Sequence, residues 1–187
     1  YSKEKVSREK DKCKVPATLW NGMIAPMVGY TVKGNIWYQG ESNISNYQFY
    51  APMMTAMVQL WRNVWEAPDM PFYYVQIAPH KYKDSRDTGA ALLREAQMEA
   101  LKTIPNSGMV PTTDIGDEFC IHPPQKDVVG LRLATLALTK TYGIRRLPSN
   151  GPTMTKVDYA DKKAIVTFDN APAGLFPSCL LYTSPSP

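Results

Sequence analysis

Phe72-Tyr73-Tyr74-Val75-Gln76-Ile77-Ala78 is a nearly continuous apolar and aromatic run, introduced by Met70-Pro71 and closed by Pro79. Seven residues are too few for a buried helix, and the polar alternation of a half-buried strand is missing. A run of this kind reads as a strand covered on both faces, and such strands belong to parallel sheets. On its amino side Phe49, Met53, Met57, Leu60 and Val64 recur at three- and four-residue intervals, with Trp61 beside them. That spacing predicts an amphipathic helix beginning near Asn46. Pro52 falls in its second turn, an awkward place that marks either a kink or a later helix start. Before it, Gly34-Asn35-Ile36-Trp37-Tyr38 is a short β-prone run ending at the turn-forming Gln39-Gly40-Glu41-Ser42-Asn43.

The pattern repeats on the carboxyl side. A polar loop over residues 79–89 precedes a predicted helix over 90–104, with Leu93, Gln97, Ala100 and Leu101 along one side and Pro105-Asn106 as its stop. Residues 108–113 form a third candidate strand. A third helix is predicted over 125–142, with Val129, Leu133, Leu136 and Lys140 in register and Gly143 as the C-cap. Strand and helix alternating three times specifies α/β architecture, a parallel sheet covered by helices. Ligand chemistry in such sheets collects at the carboxyl ends of the strands. Two polar clusters fall at such ends: residues 39–43 and residues 114–122.

Beyond Gly143 the character changes. A linker containing Pro148, Gly151 and Pro152 leads to two β-prone runs, 154–159 and 164–168, around the turn signal Ala160-Asp161-Lys162-Lys163. One hairpin of an incomplete all-β module is expected, docked on the α/β part or loosely ordered, since a lone hairpin is marginal in water. The last nine residues, 179–187, abandon every earlier pattern and resemble a translated sequencing adapter, a non-native tail. Four regions follow: a charged exposed segment over 1–14, a partial α/β domain over 15–147, a linker and partial β-module over 148–178, and the tail.

Composition limits the function classes. Of 187 residues, 44% are apolar and 20% charged, which permits a packed core and excludes wholesale disorder. No apolar run approaches the roughly 20 residues of a membrane span, so no membrane partner is expected. The net charge of +4 is local: residues 1–14 contribute +3, leaving +1 for the other 173. A solvated charge run explains that better than a nucleic-acid arm, and no nucleic-acid partner is expected. Cys13, Cys120 and Cys179 stand far apart without a CxxC pair, which argues against a disulfide framework or a thiolate zinc site. Tyr1 is not an initiator and no apolar leader follows, so the chain is expected to open inside a longer protein.

Phosphate-cradling and HExxH motifs are missing, and His80 and His122 are the only histidines, so neither metal nor other cofactor is expected. His122 precedes Pro123, which holds its backbone extended and presents the ring from a loop, with Asp117 and Glu118 nearby. A carboxylate beside such a ring would fix its tautomer and stabilise the imidazolium of a general base. Gln39, Gly40, Glu41, Ser42 and Asn43 are dense in hydrogen-bonding groups. A side-chain amide and a backbone N–H converging there would serve an oxyanion, and Ser42, Asn43 or Ser45 would equally serve as a helix cap. Ser42 follows Gly40-Glu41, but Ile44 stands where the nucleophile elbow G-x-S-x-G needs its second glycine. In Leu93-Arg94-Glu95-Ala96-Gln97 the adjacent opposite charges face different ways on a helix and need different partners.

Taken in order, Leu19-Trp20-Asn21-Gly22-Met23-Ile24-Ala25-Pro26, Trp37-Tyr38-Gln39-Gly40-Glu41-Ser42-Asn43, Leu93-Arg94-Glu95-Ala96-Gln97 and Asp114-Ile115-Gly116-Asp117 leading to Ile121-His122-Pro123 resemble the sialate O-acetylesterase family of the SGNH hydrolases. The resemblance runs from about Val15 to Leu175. It implies a three-layer α/β/α, flavodoxin-like domain with an associated β-module. It further implies a serine esterase that removes acetyl groups from an O-acetylated carbohydrate, of sialic acid or xylan type, in a secreted, periplasmic or lysosomal setting. The family's nucleophile lies in a Gly-Gln-Ser-Asn-like motif that this sequence does not contain, so the chain by itself is expected to be inactive. By position, His122 becomes the general base, Gln39 and Gly40 belong to the oxyanion block, and Gly22 offers a further backbone N–H. The superfamily's aspartate three residues before the histidine is replaced by Phe119. Asp117 is then the assigned acidic partner, with Asp114 and Glu118 as alternatives. The competing expectation is a carbohydrate-binding or scaffold protein that keeps the fold without the chemistry.

Overall fold

The computed structural model describes residues 15–82, 88–145, 147, 149–171 and 174–175. Strand and helix alternate as β1 (Asn35–Tyr38), α1 (Tyr50–Val64), β2 (Phe72–Val75), α2 (Gly89–Thr103), β3 (Ser107–Val110) and α3 (Lys126–Lys140). A hairpin of β4 (Thr153–Ala160) and β5 (Lys163–Asp169) follows. The first three strands form one parallel sheet in the order β1-β2-β3, with Ile36 opposite Tyr73 and Tyr73 opposite Gly108. Each ladder is only four residues long. The apolar run that announces β2 continues past it, because Gln76, Ile77 and Ala78 stay buried while leaving the strand.

Consecutive parallel strands in simple order require two helical crossovers of the same hand, which lie on one face of the sheet. The core is built accordingly. Trp37, Phe72, Tyr74 and Met109 pack from the strands against Tyr50, Met54 and Val58 of α1 and Ala90, Leu93 and Ala100 of α2. Tyr74 and Leu93 are fully buried; burying one such side chain contributes about 1.5–3 kcal/mol. Trp37, Trp61 and Phe72 meet edge-on or tilted at 5.8–6.4 Å between ring centres. Of the three expected layers, the first compact unit thus displays the sheet and one helical layer.

Pro52 is explained by where α1 starts. Residues 41–49 form 3-10 turns, interrupted by non-helical backbone at Asn46, and the α-helix begins only at Tyr50. Pro52 is therefore the third helical residue, where the amide hydrogen has no intrahelical partner to lose. Arg62, near the other end of α1, is 4% exposed. Its Nε and Nη2 donate to Met70 O at 3.0 and 2.9 Å, and Nη2 also donates to Pro105 O at 2.6 Å. Those carbonyls lie just ahead of β2 and β3, so one guanidinium ties the amino ends of two strands. Burial lowers its pKa, opposed by the charge of Asp69.

The chain divides into two compact units after Val129, within α3. In the second unit α3 ends at a left-handed Gly143 (φ +68°), with Ile144 N–H returning to Leu138 O at 2.9 Å. That is the C-terminal closure a glycine permits. The hairpin turns through Asp161 and Lys162, both at positive φ (51° and 60°). Such a two-residue turn matches the twist of the strands. Met154, Tyr159 and Ile165 are exposed, and no second β layer occurs among the described residues. The segments over 1–14 and 179–187, with Cys13 and Cys179, lie outside the described residues; Cys120 is an exposed free thiol. Among the described residues no helix is long and apolar enough to cross a membrane.

Candidate active site

At the carboxyl end of β1 the chain turns through Gln39 and the buried Gly40. A Cβ on Gly40 would stand 2.7 Å from Ile77 Cγ2 and 3.3 Å from Gln97 Nε2, so only glycine lets the backbone press this closely onto β2 and α2. The Gln39 carbonyl accepts the Tyr50 hydroxyl at 2.8 Å and Gln97 Nε2 at 3.4 Å. The Gln39 side chain donates from Nε2 to Asn43 Oδ1 at 2.6 Å, which leaves its second amide hydrogen over. Asn43 N–H returns to Gly40 O at 2.7 Å, closing the turn into the 3-10 segment.

Gln97 is the hub of this end of the sheet. It is fully buried on the apolar side of α2. Its Nε2 also donates to Val75 O at 3.3 Å, and its Oε1 accepts Ile77 N–H at 2.9 Å. The Gln97 backbone carbonyl takes the Tyr74 hydroxyl at 2.6 Å. A buried amide left without such partners would cost a few kcal/mol, whereas here both its ends are used. Burial raises the pKa of Tyr74 strongly and that of Tyr50 as well, so both phenols remain donors across the ordinary pH range.

The loop after β3 crosses the same pole. Thr112 Oγ1 donates to Gln76 O at 2.7 Å, and Gln76 N–H donates to Val110 O at 3.0 Å, joining the ends of β2 and β3. Gly116 passes so close to Pro79 that a Cβ would stand 2.5 Å from its carbonyl oxygen. Lys81 N–H donates to Glu118 O at 3.1 Å, the Lys81 ammonium pairs with the Glu118 carboxylate at 3.1 Å, and His80 Nδ1 lies 3.2 Å from Asp117 O. The loop then reaches Lys126, whose ammonium sits 4.5 Å from the centre of the Tyr38 ring at the end of β1. A chain strapped to β2 and arriving over β1 spans the carboxyl ends of all three strands. His122 is carried on that span, four residues before Lys126.

With this geometry in view, comparison with known proteins decides the family. Residues 14–139 match the family described as carbohydrate esterase, sialic acid-specific acetylesterase. The chain belongs to this family. It is 31% identical to the sialate O-acetylesterase of Rattus norvegicus over 176 residues, which cover 82% of this chain and 32% of that protein. It is also 31% identical to the Homo sapiens sialate O-acetylesterase over 167 residues, covering 80% and 32%. A crystal structure of a carbohydrate acetylesterase from Xanthomonas citri superposes with a TM-score of 0.74 at 36% identity, over 81% of this chain and 35% of that one. The chain thus spans about a third of the length of the proteins it matches.

Within this esterase-family chain the anticipated residues fall into two groups. Gln39, Gly40 and Asn43 form one hydrogen-bonded turn, while Glu41 is half-buried and Ser42 exposed in the 3-10 segment that follows. Asp117 and His122 share the loop after β3, but they are not hydrogen-bonded to each other. Asp117 Oδ1 accepts Phe119 N–H at 2.7 Å and Cys120 N–H at 2.8 Å, bracing its own turn. The exposed His122 ring has no hydrogen-bonding partner among the described residues. Gly22 lies exposed in the π-helical turn Trp20–Ile24, with open space around it. Leu19, just before that turn, lines a groove of about 410 Å³ together with Trp37, Gln39, Asn43 and Tyr50. The sequence alone assigns no role to Tyr50 or Thr112, and places Gln97 along one side of a helix and at the end of the Leu93–Gln97 motif without a task of its own. The available signal was the amide of Gln97 at a position whose neighbours Leu93 and Ala100 are apolar.

Proposed function

We propose that this chain supplies the general base and the oxyanion donors of a serine esterase that hydrolyses O-acetyl esters on carbohydrates of sialic acid or xylan type. The observation that carries the reading is the convergence on one pole of the sheet of a locked Gln39–Gly40 turn and a loop presenting an unpaired imidazole. In the reaction, His122 accepts the proton of a serine hydroxyl as that oxygen attacks the acetyl carbonyl carbon. Gly40 N–H and the remaining Gln39 amide hydrogen receive the charge that develops on the carbonyl oxygen. His122 then returns the proton to the departing sugar oxygen, and water repeats the sequence to release acetate. The nucleophile is assigned to the part of the parent protein outside these 187 residues. Ser42 and Ser45 lie exposed in the 3-10 segment, and Ser107 lies at the amino end of β3, donating to Ile104 O at 2.6 Å.

A reading without chemistry, a carbohydrate-binding protein on the same fold, draws on one observation: no carboxylate engages His122 among the described residues. One experiment separates the two. In the full-length parent, His122→Ala should lower kcat on O-acetylated sialic acid or acetylated xylo-oligosaccharides about 10²–10⁴-fold, the contribution of a general base. The thermal midpoint should hold, because an exposed loop ring anchors little packing. The 187-residue chain alone should show no turnover. Near-normal kcat in the variant removes His122 from the mechanism, and a parent that binds these sugars without hydrolysing them establishes the binding reading.

A further inference from the structure

The two atoms of the Gln39–Gly40 peptide that bond to hydrogen or accept one do opposite things. Its carbonyl is held inward by the Tyr50 hydroxyl at 2.8 Å and Gln97 Nε2 at 3.4 Å. Among the described residues no acceptor takes the Gly40 N–H, although Gly40 is buried. A trans peptide is planar with its C=O and N–H pointing apart. Fixing the oxygen toward α1 and α2 therefore aims the hydrogen away from them. The direction of that N–H is set by side chains on two different helices.

We propose that Gln97 is a positioning residue for catalysis: by gripping Gln39 O together with Val75 O and Ile77 N–H, it holds the Gly40 N–H in the orientation that receives the oxyanion. The inference rests on the esterase reading above and adds to it the residue that sets the donor's direction. Gln97 takes its own frame from β2, since Val75 O lies 3.3 Å from Nε2 and Ile77 N–H lies 2.9 Å from Oε1. The donor on β1 is therefore referenced to the central strand rather than to its own loop. Tyr50 provides the second hold on the same carbonyl from α1. Gly40 permits the grip because any side chain there would collide with Ile77 and crowd Gln97.

The test uses the full-length parent with Gln97→Leu, Gln97→Glu and Tyr50→Phe. An oxyanion donor acts in the transition state, and losing one costs about 10²–10³ in kcat. Gln97→Leu should lower kcat at least 10-fold with KM changed less than 2-fold, the split expected when ground-state binding is untouched. Gln97→Glu should regain activity as pH falls, because only the protonated acid can donate to Gln39 O while still accepting Ile77 N–H; a structural role predicts no such new limb in the pH profile. Tyr50→Phe, which keeps the ring in the core, should lower kcat less, about 3-fold or more. As a control, Val58→Ala perturbs the same core with kcat per folded molecule within 2-fold. Wild-type kcat in folded Gln97→Leu overturns the proposal. If Gln97→Leu fails to fold, the Gln97→Glu pH profile and Tyr50→Phe decide it, and wild-type profiles in both overturn it. A parent inactive on every acetyl ester overturns the esterase reading itself. In that event the grip is judged by amide exchange at Ile77, which should quicken at least 10-fold in Gln97→Leu, and unchanged exchange overturns it too.

Discussion

Gly40→Ala isolates the close approach on which the site depends. The new methyl carbon would lie 2.7 Å from Ile77 Cγ2 and 3.6 Å from Leu93 Cδ2, whereas carbon atoms rest at about 3.5–4.0 Å. Something must therefore move by roughly 1 Å. Ile77 cannot easily do so: it is fully buried and β-branched, with few alternative rotamers. Leu93 is equally enclosed, and Gln97 is engaged at both ends of its amide. The strain falls on the turn itself, at the usual cost of overpacking a filled core, about 1–3 kcal/mol. In a chain of this length a 2 kcal/mol loss corresponds to a fall of about 4–8 °C in thermal midpoint. A double-mutant cycle makes the mechanism checkable. Ile77→Ala removes the offending methyl and should cost about 2–5 kcal/mol alone, yet the methyl of Gly40→Ala would then occupy part of the vacated space. The double variant should be more stable than the sum of the singles by at least about 1 kcal/mol, read from urea unfolding. Strict additivity would refute steric contact as the reason glycine stands here.

Arg62→Met should destabilise by about 2–4 kcal/mol, because it strips hydrogen bonds from the buried Met70 carbonyl and from Pro105 O; an unchanged urea midpoint would show that the clamp on the two strand ends contributes nothing. The pKa values of Tyr38, Tyr50, Tyr74 and Tyr82 are all raised, in each case chiefly by burial. A raised pKa in the folded state gives stability that is complete below the ordinary tyrosine pKa of about 10 and is lost as pH climbs through the raised values. Spectroscopic titration should accordingly show these phenols ionising late, together with loss of fold, and phenolate formation in all eleven tyrosines near pH 10 with the fold intact would contradict that.

The elements were legible wherever a single segment carries its own reason. The run from Phe72 reads as a doubly covered strand from composition alone, and the three- to four-residue spacing of Met53, Met57 and Leu60 marks a helix but not its buried side. The helix α1 buries Tyr50, Met54, Val58 and Arg62, while Met53 and Leu60 stay exposed. The start of α1 was legible only as an alternative, since Pro52 accommodates either a kink or a first turn until the 3-10 segment before Tyr50 is seen. The candidate site was half legible. His122 declares itself through the proline that follows it, and Gln39 through its place after a strand. The hold of Gln97 on Gln39 O joins residues 58 positions apart, and that of Tyr50 crosses from helix to turn. No periodicity encodes such a meeting, because it exists only once the parallel register has brought the strand ends together. Asp117 shows the opposite case: nearness in sequence pairs it with His122, while its carboxylate is occupied by the amides of its own turn.

The sheet also determines how the polypeptide should behave at high concentration. β1 pairs with β2 along one side, and no strand of the described residues pairs with its other side. That border is a row of peptide groups able to accept a neighbour, with Ile36, 70% exposed, projecting beside it and no lysine or proline between Asn35 and Tyr38 to discourage contact. Natural sheets usually blunt such borders with charge, bulges or covering segments. The isolated chain should therefore be colloidally fragile, adding to itself border to border as concentration rises, and Ile36→Lys should extend its range of solubility without disturbing the face on which α1 and α2 pack.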